Sequence, residues 1–248
     1  MKTFKIILLT ALLCLSFCAC QGGNSKSSSS QSSEEATWIT TTEPQTDPPE
    51  GSMVMNGRKQ EFTFTDKSGS KETVTYVIPS LNFKTSDAAR INAEISAMYG
   101  ECFTTAEQQV KNNQPLSCES LTYESYLNDD ILTLMIVKEE SHTITYSVYN
   151  YNKATGRQLT NDGLLEYLQL DREKTFAGLK SALEDDYYSK FKYENFPDDY
   201  YYQLEMSTGD NALEKSSLFL NQNAELYAIC TEYASVGKGE FQVMIAIP

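Results

Sequence analysis

Histidine is nearly absent from this 248-residue chain: His142 is the only one. Zinc sites of the usual kind draw several His or Cys at short spacing, so this scarcity argues against zinc chemistry. A Ser-His-Asp triad would have to use His142, which starts an alternating stretch and has no glycine-flanked serine elbow to serve. Positive charge is scarce too, with 20 Lys and Arg against 34 Asp and Glu. Nucleic acid and anionic headgroups are therefore poor partners, whereas a cationic protein or peptide would be steered inward. The same acidity also serves plain solubility. Tryptophan occurs once, and no cofactor motif is present.

Tyrosine, by contrast, occurs sixteen times. That bias points to half-buried strands and contact surfaces more than to acid–base chemistry. Paired carboxylates for glycoside hydrolysis remain open, because spacing in sequence says nothing about separation in space. Asp129 with Asp130, Asp185 with Asp186 and Asp198 with Asp199 read as turn or solvated acids.

Residues 1–19 have the build of an export leader: Lys2 and Lys5, then an apolar run over 6–13 too short to span a membrane as a mature helix. Its end, Ala19 then Cys20, resembles the bacterial lipoprotein signal, in which a small residue precedes the cysteine that is acylated and becomes the new N-terminus. Phe17 departs from the usual Leu of that signal. The resemblance implies a lipid on Cys20, a bilayer partner through that lipid, and a location on the outer face of a bacterial cell membrane. Loss of the leader would make the net charge of −14 two units more negative. Residues 20–57 are rich in Ser, then Thr, Pro and Glu, and are expected to be a disordered tether. About 36 such residues reach roughly 33 Å. Trp38 and Ile39 are its only notable apolar pair.

The remainder reads as an α+β fold, antiparallel sheet packed against one long and one or two shorter helices. Alternation over 61–65 and 73–78 around a Gly and Ser turn predicts a hairpin. Apolar residues at Ala88, Ile91, Ile95, Met98, Cys102, Ala106 and Val110 predict a long helix capped by Thr85 or Ser86. Strands are predicted over 119–127, 131–138 and 143–152, forming a meander whose last member reads as the central strand. The Lys153–Gly156 turn follows, with Gly156 where positive φ is needed, and Thr160 then caps a short helix to Leu168. A further helix from Asp171 is predicted to bury Phe176, Leu179, Leu183 and Tyr187. Residues 198–204 (DDYYYQL) are open between strand and loop, and strands return at 218–220, 224–233 and 241–247 with Gly237 and Gly239 in the last turn.

These patterns resemble the paired extracellular domains, both of the unknown-function type, that occur in PdaC-like peptidoglycan deacetylases and RsiV-like lysozyme-sensing anti-sigma factors. The residues that carry the resemblance are the hairpin with Tyr76, Val77, Ile78 and Pro79, the helix with Ile91, Asn92 and Ile95, and the strand and turn from Thr143 to Thr160. On that basis residues 58–115 and 116–248 form an N-terminal and a C-terminal part. Nothing here resembles the deacetylase domain with its metal-binding Asp and His, nor a segment reaching a sigma factor. The resemblance thus implies a recognition module for a cationic, lysozyme-like or peptidoglycan-associated ligand. A carboxylate-pair wall hydrolase and an accessory envelope lipoprotein are the alternatives. Asp198, Asp199, Tyr200, Tyr201 and Tyr202 form the densest acid and aromatic stretch and are the candidate binding residues.

Beyond the leader and Cys20, the cysteines are Cys102, Cys118 and Cys230. Cys102 sits about 15 Å before the expected helix end, a distance the following stretch could retrace to Cys118. A Cys102–Cys118 disulfide, worth roughly 3 kcal/mol, and three reduced packed thiols are both open. Cys230 reads as a buried thiol in an apolar strand.

Overall fold

The structure is a computed structural model that describes residues 37–42, 51–193, 197–235 and 239–248. The leader, Cys20, most of the tether and Gly237 lie outside the described residues. Seven strands form one sheet in sequential order: β1 (Thr37–Thr42), β2 (Val54–Thr65), β3 (Lys71–Leu81), β4 (Cys118–Asn128), β5 (Ile131–Glu140), β6 (Thr143–Asn152) and β7 (Arg157–Leu159). All neighbours are antiparallel except β3 and β4, which pair in parallel at Tyr76 and Leu121. Between those two runs α1 (Ser86–Lys111), since parallel neighbours need a crossover. The parts before and after residue 115 thus contribute adjacent strands, β3 and β4, to one sheet.

Two expectations are corrected here. Thr37–Thr42, read as tether, is the edge strand β1, paired from Thr37 with Thr65 to Thr42 with Gln60. Threonine and isoleucine suit a strand sterically, and the Trp38 ring packs 5.0 Å from that of Phe64. A composition poor in apolar residues could not reveal a strand whose partner lies beyond a proline-rich stretch. The second correction concerns β6, which lies sixth of seven; the more deeply buried strand is β5, with Ile131 to Ile136 all inside.

The N-cap of α1 is Thr85, whose hydroxyl accepts from the Ala88 N–H at 3.2 Å. Its buried stripe is Ala88, Ile91, Ile95, Tyr99, Phe103 and Ala106, while Met98 is half exposed. At 3.6 residues per turn the stripe after Ile95 returns at Tyr99 and Phe103 rather than at Met98 and Cys102. Phe103 meets Tyr76 edge-on at 5.7 Å, and Tyr76 meets Phe62 at 5.1 Å. Each of these large side chains contributes on the order of 1.5–3 kcal/mol of burial.

The opposite face of the large sheet carries a second sheet in the order β10 (Glu240–Ala246), β9 (Leu226–Tyr233), β8 (Ser217–Leu220). Met135, Phe219 and Ile229 form the seam, with Tyr146 and Val148 against it. Asn150 reaches across, donating to the Leu218 carbonyl at 2.6 Å. The outer face of this sheet is closed by α2 (Asn161–Leu168), α3 (Arg172–Lys190) and α5 (Asp210–Glu214) through Leu164, Leu179, Leu183 and Leu213. The layers thus run helix, seven strands, three strands, helices, as an α+β fold.

Residues 198–204 settle as neither strand nor loop: they belong to α4 (Pro197–Thr208). Tyr200 and Leu204, one helical turn apart, are both buried, which is the spacing a helix needs to keep one face inside. Gly209 follows it, at a position where a Cβ would lie 2.7 Å from the Glu205 carbonyl oxygen.

Candidate functional site

The tyrosine-rich surface is built by the end of α3 and the start of α4. Asp171 caps α3 by accepting from the Lys174 N–H at 2.8 Å, and the helix runs to Lys190 with Thr175, Leu179, Leu183 and Tyr187 inside. Its last turn presents Tyr188 outward and Tyr187 inward. Phe191, the C-cap, packs on Tyr187 with ring centroids 4.7 Å apart and the planes tilted at 49°.

Tyr200 is the hub of this surface. It is 4% exposed and meets Tyr187 at 5.6 Å, Tyr193 edge-on at 5.7 Å and Tyr201 edge-on at 5.5 Å, with Tyr188 stacked at 6.4 Å. Tyr188, Tyr193 and Tyr201 around it, and Tyr202 further along α4, are between 46% and 65% exposed. The five candidate residues therefore divide. Tyr200 is core, Tyr201, Tyr202 and Asp199 face solvent, and the side chain of Asp198 lies outside the described residues. Tyr188 and Tyr193 join the surface although neither belongs to the 198–202 stretch. Asp185 and Glu205 are also exposed on these two helices, giving the patch acidic neighbours.

Beneath the tyrosines lies an ionic cluster around one buried carboxyl that the sequence reading missed. Lys190 Nζ stands 2.8 Å from Oε2 of Glu232 and also pairs with Asp186, one turn earlier on α3. Glu232 has no exposed surface. Burial pushes its carboxyl up to about 7, and the Asp186 charge adds to that, while the hydrogen bond from Lys190 opposes it. For Lys190, burial favours the neutral amine, but the two carboxylates outweigh it and hold the ammonium form. Burial likewise raises the Tyr187 hydroxyl to about 12. The signal was present in β9, where Ala228, Cys230 and Glu232 share one parity and the first two face α3. A carboxylate at the third such position had to find a cation.

A carboxyl of raised pKa beside a lysine has acid–base capacity. Glu232 is wholly enclosed, however, and the groups open to solvent here are the tyrosines above it. No group of three or more His, Cys, Asp or Glu suited to a metal occurs among the described residues. His142 is 93% exposed in its side chain, with Nδ1 3.5 Å from Glu119.

Cys102 and Cys118 are free thiols in hydrogen-bond contact with each other, so the structure joins the two residues without a covalent bond. That contact holds the Cys102 thiol below its usual range and raises Cys118, with burial adding to the rise. Cys230 is free and buried, and burial pushes its thiol up to about 12. Among the described residues no helix is long and apolar enough to cross a membrane. No protein-family model matches the chain, and no curated protein matches it.

Proposed function

We propose that the chain is a surface lipoprotein, anchored through acylated Cys20, whose folded part recognises a cationic, wall-associated protein of the lysozyme kind. The observation that carries this reading is the packing of exposed Tyr188, Tyr193 and Tyr201 around buried Tyr200, with Tyr202, Asp185, Asp199 and Glu205 exposed on α3 and α4. Tyrosine rings supply large contact area at low entropic cost, and carboxylates beside them pair with Arg and Lys. The acidic balance of the chain adds long-range attraction for such a partner. The resemblance of the 143–160 strand and turn to lysozyme-sensing extracellular domains supports the same direction.

The test is retention of lysozyme by the immobilised mature chain across a salt titration. Retention at low ionic strength that declines as salt rises is expected. Tyr201→Ala with Tyr202→Ala should weaken it by about tenfold or more, since exposed aromatic anchors carry much of such interfaces. Absence of retention even at low ionic strength would sink the reading.

A further inference from the structure

A groove on the helix-covered face of the large sheet opens where α1 ends. Its floor is the end of the first three strands, Trp38 on β1, Phe64 on β2, and Glu72 and Val74 on β3. Its wall is the segment after α1, with Asn113, Pro115, Leu116 and Glu119. The register makes this one face: Trp38 pairs with Phe64, and Phe64 with Glu72. The volume is about 530 Å³, within the range of small-ligand sites. No cationic side chain lines it, and among the described residues Glu72 forms no ion pair.

We propose that this groove binds the side chain of a lysine or arginine presented by a protein partner. The proposal rests on the reading of a cationic partner given above and locates a grip distinct from the tyrosine face. Two aromatic rings, tilted at 45° to each other, attract a cation over their faces. Val74, Pro115 and Leu116 suit the methylene stem of Lys or Arg, which buries its chain while its charged end meets carboxylate. Glu72 and Glu119 are the charged groups at the lining, and the C-terminal end of α1 beside them carries partial negative charge. An anion would meet repulsion from every one of these groups. A purely apolar ligand would strip water from two carboxylates without replacing it. A basic side chain satisfies both the floor and the rim.

Trp38 is the sole tryptophan of the chain, so its emission reports on the groove directly. The experiment titrates the full mature chain with hexalysine and hexaarginine, which are free of aromatic rings, and uses hexaglutamate as control. Saturable change in Trp38 emission is expected with both basic peptides and none with the acidic one. Glu72→Gln with Glu119→Gln should weaken half-saturation about fivefold or more, and added salt should do the same to the unaltered chain. Tyr201→Ala with Tyr202→Ala should leave the Trp38 titration unchanged. Silence of Trp38 at low ionic strength, or a response insensitive to both salt and the glutamine changes, overturns the groove. If lysozyme is retained while Trp38 is silent, the groove falls and the recognition reading stands. If lysozyme is not retained while hexalysine titrates Trp38 through the two glutamates, the groove stands and the tyrosine-face reading falls.

Discussion

Lys190 Nζ, on α3, lies 2.8 Å from the fully buried carboxylate of Glu232, on β9. The pair ties the helix that carries Tyr187 and Tyr188 to the sheet beneath it. Glu232 sits where the alternation of β9 would ordinarily place an apolar side chain, so the interior there holds a carboxyl whose desolvation is only partly offset by half-exposed Lys190.

This arrangement makes stability depend on pH in a definite direction. The native Glu232 carboxyl is raised to about 7 from an unfolded value of 4.5, so between those values the native state holds a proton that the unfolded chain has released. The contribution is therefore complete below the unfolded value and lost as pH rises through about 7. The thermal midpoint is expected to fall between about pH 5 and pH 8, and Glu232→Gln should flatten that decline. Lys190→Met should destabilise by about 3–5 kcal/mol at the alkaline end and by less at the acidic end, where Glu232 can take up a proton instead. A decline of the same slope in Glu232→Gln would assign it to other groups.

The tyrosines of the 198–202 stretch should separate by role in a denaturant titration. Tyr200 contacts Tyr187, Tyr188, Tyr193 and Tyr201, and its truncation opens a cavity at their centre. Tyr200→Ala is expected to cost about 3–5 kcal/mol. Tyr202→Ala, at a 64% exposed position, should stay within about 0.5 kcal/mol of the unaltered chain. Urea midpoints with unchanged slope check both. A costly Tyr202→Ala would mean that it packs against something beyond what is described.

Much of this architecture is legible in the residues. The strand, turn and cap from Thr143 to Thr160 show themselves because alternation, a positive-φ glycine and a capping threonine are all local signals. The period of α1 is equally visible, yet its phase slipped: Met98 and Cys102 look more apolar than Tyr99, whose hydroxyl is satisfied by Ser147 at 2.6 Å and can therefore be buried. What stayed hidden depends on distant partners. Trp38 becomes part of a strand only beside Phe64, and Tyr200 turns inward only because Tyr187 and Phe191 wait there. Glu232 was readable by parity, but its lysine lies 42 positions away.

Cys102 and Cys118 should behave as a pair towards an external disulfide. The Cys102 thiol is the readier to ionise, because its contact with Cys118 and the nearby Lys138 both favour the thiolate. With oxidised glutathione, the Cys102 thiolate attacks one sulfur and releases a glutathione thiol. The Cys118 sulfur, giving up its proton, then displaces the second glutathione, leaving the protein disulfide and two reduced glutathiones. Of Cys102, Cys118 and Cys230, only buried Cys230 should then titrate in denaturant. Cys118→Ala should stop at the mixed disulfide, visible as an added glutathione by mass. Closure is expected to stabilise by about 3 kcal/mol in the chain-entropy account. Three titratable thiols after this treatment would show that the two sulfurs cannot reach bonding geometry.

The turn after β6 is locked to the start of α1 by one close approach. Gly156 has φ +71°, and a Cβ there would lie 2.8 Å from Cγ2 of Thr85. Asn152 shapes the turn by accepting from the Ala154 and Thr155 N–H groups, each at 3.0 Å. Thr85 serves two other partners, the Ala88 N–H and the Tyr151 hydroxyl at 2.8 Å, so it cannot move aside without loss. Gly156→Ala is expected to cost about 2 kcal/mol or more, partly from the left-handed backbone and partly from the overlap. Thr85→Ser removes Cγ2 and keeps the hydroxyl, and so should relieve about 1 kcal/mol of that cost while leaving the backbone share. A double-mutant cycle from urea midpoints measures the difference. Coupling near zero would mean that the turn yields rather than the threonine, and that the junction between the hairpin-and-helix part and the meander is softer than its geometry indicates.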